Sequence, residues 1–129
     1  MAEDVRQLSE DQWQPGPFYE IAIINRTIES LESEHGFARE RVVEDGLGWM
    51  SFIRLQIGEG TRFLLSWGEA GSPKQVYVHA DVTNRPYVAA LDKLLSALGL
   101  DRSNVLWLSD DDGYQHQIDR LKREGKLKG

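Results

Sequence analysis

The sequence predicts a two-layer α+β domain, an antiparallel sheet of four or five strands with helices on one face, in the order α-β-β-β-β-α-β-α. Three observations predict it. Apolar residues recur at three- and four-residue steps in two stretches, they alternate at period two between residues 39 and 82, and tight turn signals separate the alternating runs. A chain of 129 residues with 40% hydrophobic residues suits one domain with a single core.

Residues 1–16 read as an N-terminal extension without periodicity, residues 17–124 as the domain, and residues 125–129 as a basic tail. The first helix is expected to open at Pro17, with Phe18, Ile21, Ile24, Ile28 and Leu31 on one stripe and Gly36 as its stop. Its opening FYEIAII is aromatic and β-branched, a composition that also suits a strand. The spacing that continues through Leu31 favours the helix.

Four strands follow, at about 39–44, 49–57, 62–67 and 74–81, joined by EDGLG, GEG and EAGSP. Connections this short cannot make parallel crossovers, so the strands form an antiparallel meander. Trp49, Ile53, Leu55 and Ile57 share one face, as do Phe63, Leu65 and Trp67, then Val76, Val78 and Ala80. The opposite face carries Met50, Phe52, Arg54 and Gln56, then Arg62, Leu64 and Ser66, then Gln75, Tyr77, His79 and Asp81. One face is apolar and the other mixed.

Pro86 opens a second amphipathic helix with Val88, Leu91, Leu94, Leu95 and Leu98 inward, and Gly99 ends it. NVLWL at 104–108 reads as a short strand. A last helix follows the aspartates at 110–112 and carries Ile118 and Leu121 as its apolar positions.

Candidate chemistry is sparse. The chain has no cysteine, which removes disulfides, thiol catalysis and thiolate zinc sites. On a strand, Tyr77, His79 and Asp81 project to one side at ~6.5 to 7 Å, close enough for a proton relay or two metal ligands. The other histidines, His35 and His116, have no metal-binding spacing, and the solvent face of a strand accommodates the same residues. Neither metal nor cofactor is expected. Three adjacent aspartates lack the alternate acids of a calcium loop and are expected to cap the last helix. GLGW and GEG read as hairpin turns rather than phosphate cradles, and no GxSxG nucleophile elbow occurs. Glu29, Glu32 and Glu34 are expected on a solvated helix face.

The net charge is −6, and it is unevenly spread: residues 1–50 hold 11 acids against 4 bases, residues 114–129 hold 5 bases against 2 acids. An acidic body repels phosphate backbones, so nucleic acid is disfavoured as a partner. No run approaches the ~18 to 20 apolar residues of a membrane helix, and the acidic first residues are unlike a signal peptide, so a soluble cytoplasmic protein is expected.

The mixed face is left as the candidate interaction face, formed by Met50, Phe52, Arg54, Arg62, Leu64, Tyr77, His79 and Asp81. Aromatic, Met and Arg side chains have the composition of an interface core. Occupants in view are the chain's own N- or C-terminal segment, a second copy, or a foreign protein. In element order, over most of the chain and without a signature residue, the layout is similar to small acidic bacterial modules such as secretion-chaperone-like domains and toxin-immunity proteins. With the acidic body, the aromatic patch and the lack of a catalytic set, that resemblance leads to the expectation of a non-enzymatic protein-binding module of inhibitor, immunity-protein or chaperone type. It would use the acidic surface, toward a basic partner, or the mixed face, with a homodimer in view. The alternative is a small-ligand-binding protein or enzyme using the Tyr77/His79/Asp81 strand face.

Overall fold

A computed structural model describes residues 5–12, 18–44, 46, 48–58, 60–81, 87–109 and 123. They form a small α+β domain with an antiparallel seven-stranded sheet and two α-helices. In chain order the elements are β1 (Val5–Gln7), β2 (Phe18–Ile24), α1 (Ile28–His35), β3 (Glu40–Glu44), β4 (Gly48–Ile57), β5 (Thr61–Gly68), β6 (Val76–Asp81), α2 (Tyr87–Ala97) and β7 (Val105–Leu108). The meander from β3 to β6 matches the expected one, and β7 falls within the expected strand.

The expected first helix is corrected. Residues 18–24 form β2, paired with β6 on one side and β7 on the other, and only Ile28–His35 is helical. The cause lies in a bulge between Glu20 and Ala22, where the register with β6 slips by a residue. A bulge adds one residue to a period of two, so Ile21 and Ile24, three apart, both enter the core although the backbone is extended, whereas Phe18 faces Asp81 on the other side of the sheet. As an inner strand with a neighbour on each side, β2 also rewards the aromatic and β-branched run. The helix proper starts where Thr27 accepts a hydrogen bond from the Ser30 backbone N–H at 3.1 Å, and stops at Gly36 with φ 73°.

The strand count and order are corrected too. The order across the sheet is β1-β4-β5-β6-β2-β7, and β3 also pairs with β4. The long strand β4 therefore carries two short partners on one edge, β1 along Leu55–Ile57 and β3 along Gly48–Phe52. Val5–Gln7, within the expected N-terminal extension, thus belongs to the sheet.

Both described helices lie on the apolar face. Ile28 and Leu31 of α1, with Tyr87, Ala90, Leu91, Leu94 and Leu95 of α2, are buried with Ile53, Leu55, Ile57, Phe63, Leu65, Val76, Val78 and Ala80 in one core. The His35 ring ties α1 to the end of α2, with Nε2 3.2 Å from the Leu98 carbonyl oxygen, and stacks on Phe37. Apart from residue 123, the expected last helix lies outside the described residues, as do the aspartate cap and the basic tail. None of the described helices is long and apolar enough to cross a membrane.

Candidate functional site

Period-two alternation turns the side chains opposite the helices into rows running across the strands. One row passes from Glu40 on β3 through Phe52, Ser66, Tyr77 and Ile23 to Trp107 on β7, each facing the next in register. The adjacent row runs Arg54, Leu64, His79, Glu20. Met50 faces Gly68 and Val42, Arg62 faces Gln56, and Asp81 faces Phe18. The eight residues singled out by sequence thus occupy one continuous face of three neighbouring strands. All eight are half-buried rather than exposed.

Polar groups near the centre of this face are organised. Ser66, buried, places Oγ 2.9 Å from His79 Nε2. Burial pushes the His79 imidazole below its ordinary titration range, which keeps it neutral. Directly opposite in register, Glu20 is pushed the other way: burial raises its carboxyl above the usual range. Arg54 forms an ion pair with Glu40 across the β3–β4 step. Tyr77, His79 and Asp81 do project from the same side of β6, but the hydrogen bond that engages the imidazole comes from β5. Among the described residues, no three His, Cys, Asp or Glu side chains are grouped as a metal site would require.

Sequence reasoning missed Glu20 and Ile23 because it placed them on a helix. Ser66 was assigned to the right face but not to the site. The signal that could have found Glu20 was the FYEIAII composition taken with the glutamate at its centre: on an inner strand, a lone acid must face whatever row the neighbouring strands present.

The large apolar side chains that stand out into solvent are at the two ends of the sheet. Val43 and Trp49, facing each other across β3 and β4, are 59% and 46% exposed, and Val42 is beside them. At the opposite edge Leu106 and Trp107 of β7 are 54% and 39% exposed. Trp49 is held from one side by Arg41, whose guanidinium carbon is 4.5 Å from the ring centroid. Arg41 is itself clamped by Glu69 through two hydrogen bonds of 2.8 and 2.9 Å. A neighbouring depression of about 240 Å³ is lined by Met50, Trp67, Gly68, Ser72, Gln75 and Tyr77. Its size is below the roughly 300 Å³ at which drug-sized ligands begin to fit, and it accommodates a single side chain.

Fold and face together define a small antiparallel α+β domain with a half-buried mixed face and exposed aromatic ends. The chain matches none of the family models, curated proteins or solved structures with which it was compared.

Proposed function

We propose that the protein is a non-enzymatic protein-binding module of the inhibitor, immunity-protein or chaperone kind that engages a basic partner. The observation that carries this reading is the exposure of Trp49 and Trp107 at opposite ends of one sheet in a chain of net charge −6. Aromatic anchors presented to solvent are the usual centres of binding energy in protein interfaces, and an acidic field speeds encounter with a basic partner. The mixed face, onto which Trp107 projects while Trp49 lies on the other side of the sheet, supplies arginine, methionine and tyrosine.

Affinity capture with the wild type, Trp49→Ser, Trp107→Ser and the double variant Phe52→Asp/Tyr77→Asp tests the reading, alongside light scattering for self-association. The expected result is capture lost in variants that remain folded, with association slowing as salt rises. Capture unchanged in every variant would overturn it.

A second reading, a small-ligand or enzymatic site on Tyr77, His79 and Asp81, has in its favour the Ser66–His79 hydrogen bond, with the half-buried Glu20 opposite His79 in register. Against it stands the burial of Ser66, whose hydroxyl a substrate would have to reach. A serine-directed fluorophosphonate that labels Ser66 in the wild type but not in His79→Gln would bring this reading to the front.

A further inference from the structure

We propose that the outer edge of β7 accepts an extended, basic segment of a partner protein as an additional antiparallel or parallel strand. The proposal rests on the protein-binding reading and names the chemistry of the partner. Among the described residues β7 pairs with β2 alone and ends the sheet. Backbone groups alternate direction along a strand. The Ser109 N–H donates inward to the Ile21 carbonyl at 2.8 Å, so the N–H and C=O of Leu108 turn outward. A row of such groups is complemented in register only by another extended backbone.

The side chains agree with that occupant. A bulge against β2 between Val105 and Trp107 inserts Leu106, which stands 54% exposed, and Trp107 beside it is 39% exposed. Edge strands that are merely solvated are usually blunted by lysine or proline, whereas this one reads Val-Leu-Trp-Leu. A groove of about 260 Å³ runs along it, lined by Arg102, Val105, Leu106, Trp107 and Leu108. Among the described residues that line it, the one cation is already neutralised, because Arg102 holds Asp92 through hydrogen bonds of 2.6 and 3.0 Å.

Charge selects among possible strands. Asp101 precedes β7, and the chain as a whole carries a net charge of −6. A second copy of this chain would bring the same net charge to the edge. Like charges then oppose that dimer, whereas a strand with lysine or arginine flanking its apolar positions is attracted.

The probe is a fluorescein-labelled octapeptide alternating valine and lysine, added to the full chain, with amide exchange read residue by residue. Slowed exchange of the Leu108 amide is expected, together with binding at least about tenfold weaker for a peptide N-methylated at alternate residues, equivalent to about 1.4 kcal/mol. Leu106→Glu should also weaken binding although it adds negative charge, which would strengthen a purely electrostatic attachment. Equal affinity of the methylated peptide, tighter binding to Leu106→Glu, unchanged exchange at β7, or a β7-dependent dimer in the absence of peptide each overturns the proposal. If the peptide fails while partner capture still depends on Trp49, the edge proposal falls alone. Capture indifferent to Trp49, Trp107 and the Phe52→Asp/Tyr77→Asp pair removes the protein-binding reading itself.

Discussion

Ser66 Oγ and His79 Nε2 lie 2.9 Å apart although the two residues do not face each other in register: Ser66 opposes Tyr77, and His79 opposes Leu64. The bond therefore runs diagonally between β5 and β6, and it pulls a half-buried imidazole toward the middle strand rather than toward Asp81 at the strand's end. A polar pair in that position ties two strands together on the face that the described helices leave free.

The His79 pair makes stability depend on pH with a definite sign. Burial depresses the folded-state pKa, so the unfolded chain takes up a proton near the ordinary value of about 6.5 and the folded chain only at lower pH. Between those points the unfolded state binds more protons, and stability falls as pH falls. Thermal melts between pH 7.5 and 5 should show a steeper decline for the wild type than for His79→Gln. Parallel declines would mean that His79 titrates the same way folded and unfolded.

Glu20 carries the opposite sign. Its carboxyl is raised by burial, so the folded state favours the protonated form, and the resulting stability is present below the ordinary carboxyl value of about 4.3 and lost as pH rises through the raised folded value. Glu20→Gln should accordingly be more stable than the wild type at pH 7, with the advantage shrinking toward pH 4. Urea midpoints at the two pH values measure it, and a variant less stable at pH 7 would show that the carboxylate has a stabilising partner.

Strand faces were legible because period two converts directly into sides of a sheet: all eight residues assigned to the mixed face from sequence are on it. The second helix was legible for the same kind of reason, an apolar stripe ended by Gly99. Residues 18–24 were not, because the bulge after Glu20 buries Ile21 and Ile24 at a three-residue step and Phe18, on the other face, completes an apparent helical stripe; Glu20 and Ile23 left the site with that error. The exposed ends depend on a length comparison that pattern alone does not give. The eight residues of α1 span about 12 Å. The ten residues of β4 span about 33 Å, so Trp49, at its start, outruns its cover although it shares a face with the buried Ile53.

The turn from α1 into β3 is held by one carboxylate. Glu32 accepts from Arg39 Nε at 2.9 Å and from the Arg39 backbone N–H at 3.1 Å, and these bonds hold its carboxyl below the usual range. Both side chains are only about a quarter exposed or less, at 25% and 20%, so the pair is less screened than a surface one. Glu32→Gln should cost roughly 1 kcal/mol at pH 7. The loss should vanish in acid, since stability from a depressed carboxyl is present above its unfolded value and disappears as pH falls through the folded one. Urea unfolding at pH 7 and pH 3 checks both halves, and an equal deficit at the two values would point to packing instead of charge.

Trp49 tests whether an exposed aromatic is part of the core or is presented outward. Arg41 lies over one face of its ring and is itself fixed by two hydrogen bonds to Glu69, so the indole is braced while nearly half of it stays exposed. A cation–π contact at an exposed site contributes about 0.5 to 1 kcal/mol, and the remaining exposed surface contributes nothing until it is buried by something else. Trp49→Ser should therefore lower stability by only about 1 kcal/mol, where truncating a buried aromatic costs about 3 to 5. Glu69→Gln should keep the fold but free Arg41 to leave the ring, giving a smaller binding defect than Trp49→Ser. A loss of stability on the core scale in Trp49→Ser would mean that the indole serves packing, and the binding role assigned to that end of the sheet would go with it.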